Sequence, residues 1–133
     1  TAVEEFLLVL TPEPTSITDA YSLTKILSKY KLHDEIYLII NRAASTKEAE
    51  HTRLKFENVC ERFLNIKVNY LGHVLEDRNV PEAIKSQQPL VTYNPSSPAA
   101  KCISKIASSF LESNKKSSGI SSFFDRLTRL FRR

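Results

Sequence analysis

Three short apolar runs decide the fold of this chain: FLLVL at residues 6–10, IYLII at residues 36–40 and VNYLGHV at residues 68–74. Each run is nearly continuous in apolar character, which is typical of strands covered on both faces in a parallel sheet. Stretches with helical periodicity separate them. We therefore predict an α/β fold: a three-layer doubly wound parallel sheet fragment in the order β-α-β-α-β-α, with right-handed crossovers and a C-terminal amphipathic helix.

The first apolar run contains no charged residue. A long apolar strand at the edge of a sheet tends to pair with other chains, and natural proteins cover such an edge or place charges on it. We therefore predict that a neighbouring strand or chain belongs beside residues 6–10.

Four helix-start signals lie between and after the apolar runs. Three have capping-box spacing, in which a serine or asparagine precedes an acidic residue by three positions. The fourth is a serine followed by a proline at the first helical position, predicted to open a helix through residue 111. The four signals are Ser16 with Asp19, Ser45 with Glu48, Asn79 with Glu82, and Ser97 with Pro98.

Composition excludes several classes of enzyme. The length of 133 residues is that of one domain, but the chain has only two glycines, Gly72 and Gly119. Two isolated glycines cannot form the phosphate loop of P-loop NTPases, the tight turn of dinucleotide-binding enzymes or the nucleophile elbow of α/β-hydrolases. Cys60 and Cys102 lack metal-ligand or redox spacing, so we expect buried or half-buried reduced thiols.

The net charge of +4 comes from the end of the chain. Residues 115–133 contain six basic residues and one acidic residue, whereas the other 114 residues contain thirteen basic and fourteen acidic ones. A body with a charge of −1 argues against nucleic-acid binding, which uses a basic face. We divide the chain into a body at residues 1–112, a flexible basic linker at 113–119 and an amphipathic helix at 120–133.

The terminal segment ISSFFDRLTRLFRR has the pattern of a helix that binds membrane surfaces, because its apolar residues recur at helical spacing and arginines flank them. Each basic residue near an anionic leaflet adds about 1 kcal/mol to binding. The alternative is a helix that packs on the body or on a partner. The predicted membrane-binding residues are Ile120, Phe123, Phe124, Leu127, Leu130 and Phe131, with Arg126, Arg129, Arg132 and Arg133.

Polar residues follow each apolar run. The carboxyl ends of parallel strands meet at one edge of a sheet, where open α/β folds bind ligands. The alternative is that these are ordinary cap and turn residues. No catalytic set is visible, and the three histidines are too far apart in sequence to suggest a bound metal. The loops 11–16, 41–45 and 72–77 are expected to bring together Glu13, Thr15, Ser16, Asn41, Arg42, His73, Glu76 and Asp77.

The same loops resemble those of a known family. LLVLTPEPTSITDAYSLTKIL (residues 7–27) is similar to the segment after switch II in MinD/ParA-type (SIMIBI) ATPases, in particular their flagellar-number regulator branch (FlhG/FleN/YlxH-like). IYLIINRAAS (residues 36–45) resembles the family's strand with an Asn-Arg end. Residues 62–107 resemble its LG-x-I-P-x-D … V-x-x-A-x-x-x-Q-x-P … Y-P-x-S-x-A-A-x-x-I stretch, so the resemblance covers nearly the whole chain.

The resemblance implies that the chain is the C-terminal half of such an ATPase. The family's P-loop and switch regions, which hold the phosphates and Mg²⁺, would precede Thr1, so the chain alone is expected not to hydrolyse ATP. The helix predicted at residues 17–31 corresponds to a partner-docking surface in the family, or its apolar positions are core.

The resemblance further implies site residues for ATP or ADP in the intact protein. Asn41 would hydrogen-bond the adenine ring and Arg42 would flank it. The chain departs from the family at Leu75, where a proline is usual, which implies a less rigid loop around the base. That loop would comprise His73, Val74, Leu75 and Glu76, and the residues that reach towards the partner subunit's nucleotide in a homodimer would be Glu13, Thr15 and Ser16.

The role implied by the resemblance is regulation of flagellar number or placement. The chain would supply the adenine-binding rim, part of the dimer face and a membrane anchor, in a protein that is cytoplasmic and peripheral on the inner face of the cell membrane. Expected partners are an anionic membrane surface, a second subunit, a flagellar SRP-type GTPase (FlhF-like) and basal-body components, without nucleic acid. Two alternatives remain: a stand-alone membrane-tethered interaction module without nucleotide, and half of a partitioning-type ATPase.

Overall fold

The computed structural model describes residues 5–113, together with residues 127 and 129. The chain divides after Leu75 into two compact units. In chain order the elements are β1 (Leu7–Leu10), α1 (Pro14–Lys29), β2 (Glu35–Ala43), α2 (Thr46–Val59) continued by a π-helical turn (Cys60–Leu64), β3 (Lys67–Leu75), α3 (Asn79–Lys85), α4 (Leu90–Tyr93) and α5 (Pro98–Ser113).

The first unit is a three-stranded parallel sheet in the order β1-β2-β3, with α1 and α2 as the crossovers. Alternate strand residues point to one face, where Leu8, Leu38 and Ile40 are buried in a single apolar cluster. Leu27 of α1 and Phe56 of α2 belong to the same cluster, so both helices cover that face. The predicted parallel α/β sheet is confirmed.

Two of the predicted helix caps are confirmed. Glu48 donates its backbone N–H to the Ser45 hydroxyl at 3.1 Å and accepts a hydrogen bond from the N–H of Ala44 at 2.9 Å. Ser97 accepts from the N–H of Ala100 at 3.2 Å, at the start of α5. These bonds satisfy N–H groups that the first turn of a helix leaves without an intrahelical partner.

The other two predicted caps are wrong. α1 begins earlier than predicted, at Pro14, because the fixed φ of proline suits the first helical position. Ser16 therefore lies inside the first turn, and its hydroxyl accepts from the N–H of Thr11 at 2.9 Å. Asn79 is likewise the first residue of α3, and Asp77 caps that turn by accepting from the N–H of Asn79 at 2.9 Å.

The two edges of the sheet differ. β3 begins with Lys67 and carries a register shift, two features that discourage further pairing along an edge. β1 has neither a charged residue nor a register shift, and its Leu7 and Val9 are exposed. Within residues 5–113, β1 pairs only with β2. The predicted neighbour of β1 therefore stays a prediction, and the contrast between the edges supports it.

The terminal segment lies largely outside the described residues, so the predicted linker and the membrane-binding residues stay predictions. Of that segment the structure describes Leu127 and Arg129, both helical. Among the described residues, no helix is long and apolar enough to cross a bilayer.

Helix ends in this chain use left-handed residues other than glycine. Lys31, Asn65 and Gln87 have φ values of 52°, 51° and 55° just after α1, the π-helical turn and α3. After α3, the N–H of Gln88 donates to the carbonyl of Ala83 and that of Gln87 to the carbonyl of Ile84, both at 3.0 Å. This pair of bonds is a Schellman motif, whose left-handed position favours glycine. The side chain at such a position costs about 1–2 kcal/mol.

Replacing Gln87 with glycine should therefore stabilise the protein. The strain energy that glycine removes from the folded state is larger than the entropy cost of ordering glycine on folding. The expected gain is about 0.5–1 kcal/mol in the free energy of unfolding. Urea denaturation measures it. Gln87→Ala should give no gain, and Gln88→Gly, one residue beyond the left-handed position, should destabilise. Equal effects of glycine at positions 87 and 88 would contradict this account.

Candidate functional site at the carboxyl edge of the sheet

The three strands end at the same edge, as the apolar runs predict. Leu10 of β1 pairs with Ile40 of β2, and Ile40 pairs with His73 of β3. Two of the strands are longer than predicted. β2 continues through Ala43, so Asn41 and Arg42 belong to a strand rather than to a loop. β3 continues through Leu75, so residues 72–75 are also in the strand.

Register shifts explain why these strands continue past their apolar runs. In β3, Tyr70 pairs with Leu38 but Gly72 pairs with Ile39, so Leu71 is an extra residue. Gly72 has a φ of 144°, a region that glycine adopts without steric cost. The shift re-aims the end of β3 beside β2, as bulges near binding sites commonly do.

The second register shift lies directly at the candidate site. Ile40 pairs with His73 and Ala43 with Leu75, so Asn41 and Arg42 together oppose one residue of β3. Arg42 has a φ of 57°, which is costly for a bulky side chain and is often found where function requires it. Ala43 is fully buried while Arg42 is exposed. The irregular backbone therefore leaves Arg42 exposed at the edge of the sheet, while the next residue, Ala43, is buried in the core.

Asn41 is half-buried and its side chain is already oriented. Its Oδ1 accepts a hydrogen bond from the backbone N–H of Arg42 at 3.0 Å. An asparagine amide has two acceptor lone pairs and two N–H donors. One lone pair of Oδ1 accepts this bond, and the amide has a second lone pair and two N–H donors besides.

His73 is tied to the start of α2. Its Nε2 lies 3.4 Å from the Thr46 hydroxyl, and Thr46 is the first residue of that helix. His73, Val74 and Leu75 are all half-buried. The structure thus brings Asn41, Arg42 and His73 together on paired strands, as the chain topology predicts.

The residues predicted to face a partner subunit border a cleft along β1 and α1. The cleft has a volume of about 450 Å³ and is lined by Glu13, Thr15 and Ser16 together with the apolar Val9 and Leu23. Glu13 and Thr15 are exposed. Ser16 serves the local turn through its bond to the N–H of Thr11, which agrees with the alternative of an ordinary turn residue for this position.

The last two predicted rim residues, Glu76 and Asp77, belong to the second unit. Asp77 has a role that the sequence did not reveal. Its Oδ1 accepts from both the backbone N–H and the side-chain amide of Asn79, at 2.9 and 2.8 Å, and its Oδ2 accepts from the N–H of Ala99 at 3.0 Å. The bond from Ala99, followed by those from Asn79, holds the pKa of the Asp77 carboxyl below its ordinary value of 3.8. Asp77 therefore joins the starts of α3 and α5.

Two further chemistries, metal binding and thiol reactivity, concern the histidine, acidic and cysteine side chains of the described residues. That part contains no group of three or more histidine, cysteine, aspartate or glutamate residues arranged to hold a metal ion. Cys60 is buried and Cys102 is half-buried, as predicted. Burial, with a smaller contribution from Glu61, raises the pKa of the Cys60 thiol to about 12, which disfavours the reactive thiolate.

Comparisons with known proteins agree with the resemblance in the sequence. No family model matches the chain. The chain is 34% identical over 106 residues, 80% of its length, to the "Antiactivator FleN" of Pseudomonas aeruginosa. It is 32% identical over 129 residues, 90% of its length, to the "Flagellum site-determining protein YlxH" of Helicobacter pylori. It spans only 38% and 42% of the lengths of these two relatives. The chain therefore belongs to the family of MinD/ParA-type flagellar-number regulators and corresponds to part of their length.

Proposed function

We propose that this chain is the C-terminal part of a MinD-type regulator of flagellar number or placement, in which it provides the adenine-binding rim, part of the dimer face and a membrane anchor. The names of the two relatives, an antiactivator and a flagellum site-determining protein, support the flagellar role. The single observation that carries the nucleotide role is the irregular pairing at the ends of β2 and β3, which presents Asn41 and Arg42 beside His73.

The side chains at this edge suit an adenine ring. The amide of Asn41 pairs a donor with an acceptor, which matches the alternating donor and acceptor along the edge of adenine. The planar guanidinium of Arg42 is exposed next to it and is of the kind that stacks on flat aromatic rings. The half-buried residues 73–75 would limit access of water to the base. ATP supplies the hydrolysable phosphates when it is bound, and the residues of this chain would hold only the base.

The open edge of β1 supports the proposal that the chain completes a larger sheet. Val9 and Leu23 present apolar surface beside an edge whose backbone groups can pair with another strand. We assign this edge to a strand from the remainder of a longer protein, since the relatives are more than twice as long as the matched region. Glu13 and Thr15, on the polar rim of the same cleft, would face the second subunit of a homodimer.

Replacing Asn41 with alanine should weaken ADP binding about two- to twelvefold, because one hydrogen-bonded amide contributes about 0.5–1.5 kcal/mol. Isothermal titration calorimetry of the chain with ADP measures the change. Asn58→Ala, at an exposed position of α2, is the matched control and should bind like the wild type.

Four results would each contradict a different part of the proposal. Equal affinity of the wild type and Asn41→Ala would remove Asn41 from the site. The absence of binding heat with the wild-type chain would favour the alternative of a membrane-tethered interaction module. A protein-dependent ATPase rate from this chain alone would contradict the assignment of phosphate chemistry to another segment. Binding of DNA by residues 1–112 would favour a partitioning-type ATPase, against which the charge of −1 outside residues 115–133 argues.

A further inference from the structure

A second cleft lies at the opposite end of the sheet from the candidate nucleotide rim. Its volume is about 650 Å³. It is formed by the turn between α1 and β2, which includes Leu32 and Asp34, and by the turn between the π-helical segment and β3, which includes Leu64 and Asn65. We call it the amino-end cleft, because it lies where β2 and β3 begin. The nucleotide role proposed above makes no use of it.

The most exposed large apolar side chains of the described first unit belong to the chain segments that form the amino-end cleft. Phe63 is 66% exposed, Tyr30 63% and Leu32 60%. Leu32 lines the cleft, and Tyr30 and Phe63 each precede a lining residue directly in the chain. Exposed apolar side chains in the segments that form a concave surface are typical of a protein-interaction site.

The backbone around the amino-end cleft is built in unusual conformations. Lys31 and Asn65 both have left-handed φ values, one on each side of the cleft. The π-helical turn that carries Phe63 is a rare conformation which often occurs at functional sites. The Ser28 hydroxyl donates to the carbonyl of Leu64 at 2.7 Å and fixes the two walls to each other. A hydrogen bond between its two walls therefore supports the concave shape of the cleft.

Basic side chains accompany the exposed rings. The ammonium of Lys29 lies 5.6 Å from the ring centroid of Tyr30, and the guanidinium of Arg62 lies 5.5 Å from that of Phe63. Lys31 lines the cleft itself. Aromatic residues and arginine are enriched at the centres of protein interfaces. Carboxylates of a partner would meet these three cations while its apolar side chain entered the cleft.

We propose that the amino-end cleft docks a segment of another protein that carries an apolar anchor residue flanked by carboxylates. The concave shape suits an inserted apolar side chain better than it suits the flat surface of a bilayer. This surface is at the opposite end of the sheet from the nucleotide rim, so a partner could be held there without blocking the base.

Selection of random twelve-residue peptides displayed on phage against the full chain tests the proposal. We expect the enriched peptides to share an apolar residue with acidic neighbours. Synthetic copies should bind Leu32→Ser at least tenfold more weakly than the wild type, measured by fluorescence anisotropy. The matched control is Leu54→Ser, because Leu54 is an exposed apolar residue of α2 that does not line the cleft, and it should bind like the wild type.

Charge reversal gives a second readout that does not depend on the apolar variants folding. Lys31→Glu should weaken the acidic peptides at least fivefold and should remove part of their salt dependence. Four results overturn the proposal: no enriched peptide, a basic consensus, unchanged binding by Leu32→Ser and Lys31→Glu, or a loss as large in Leu54→Ser. Sedimentation with phosphatidylglycerol vesicles should be unaffected by Leu32→Ser. A loss there would identify the cleft as a lipid contact and would also overturn the proposal.

Discussion

Replacing Phe124 with aspartate should reduce sedimentation of the chain with anionic vesicles at least tenfold. Burial of a phenylalanine side chain in an apolar environment contributes about 1.5–3 kcal/mol, and about 1.4 kcal/mol corresponds to a factor of ten in binding. The substitution removes that contribution and places a carboxylate in the middle of the predicted apolar stripe. Because a short amphipathic helix binds membranes reversibly, this loss is enough to release it.

The control for this experiment keeps the added charge and changes its position. In a helix of 3.6 residues per turn, Ser122 lies on the side opposite Phe124, so Ser122→Asp should lower sedimentation only slightly. Deletion of residues 120–133 should lower sedimentation with the vesicles as much as Phe124→Asp does. Equal sedimentation of the wild type and the deletion would remove the membrane role and would favour packing of this segment on a protein surface.

Replacing Asp77 with alanine should destabilise the second unit by about 2–3 kcal/mol at neutral pH. The carboxylate accepts bonds from two backbone N–H groups, those of Asn79 and Ala99, and hydrogen bonds to a charged acceptor contribute about 1.5–3 kcal/mol. Asp77→Asn retains one carbonyl oxygen, but its amide nitrogen would oppose an N–H donor, so an intermediate loss is expected. Chemical denaturation followed by circular dichroism measures these differences.

The effect of Asp77 should depend on pH in a defined direction. Its hydrogen bonds hold the pKa of the folded-state carboxyl below the ordinary value of 3.8, so the folded state favours the ionised form. The difference in unfolding free energy between the wild type and Asp77→Ala should be fully present above pH 3.8. It should shrink as the pH falls through the folded-state pKa. Asp19→Ala, at an exposed position of α1, should change stability by less than about 0.5 kcal/mol. If Asp77→Ala lowered the free energy of unfolding by the same amount at pH 7 and pH 2, ionisation of the Asp77 carboxyl would not contribute to stability.

The sequence predicts the sheet well because strands that are buried on both faces consist mainly of apolar residues. Runs such as residues 36–40 are apolar at every position, and the parallel order follows from the helices between them. β2 ends later than its apolar run predicts, because the ladder continues past Asn41 and Arg42, which have no strand-like pattern. Only backbone geometry reveals that a polar pair occupies a register shift.

The local errors have equally physical causes. The spacing of Ser16 and Asp19 fits a capping box, yet the helix starts at Pro14, three residues earlier than that box predicts, which changes the role of the serine. The π-helical turn leaves no clear mark in the sequence, because the segment CERFL is compatible with an ordinary helix. Topology and the family resemblance together predict the candidate rim residues, whereas the bond between Asp77 and Ala99 joins positions 22 residues apart and leaves no local pattern.

The order β1-β2-β3 also determines how the first unit can fold. Each strand pairs with the strand that immediately precedes it, as in Leu7 with Tyr37 and Glu35 with Lys67, so the pairing residues are only about 30 positions apart. The entropy of closing a loop grows slowly with its length, and mixed α/β domains with such moderate contact order fold faster than all-β domains. The helix between two strands can form within that loop and shorten the distance that must be closed. This unit is therefore suited to assemble one strand–helix–strand step at a time, in the order in which a ribosome delivers it.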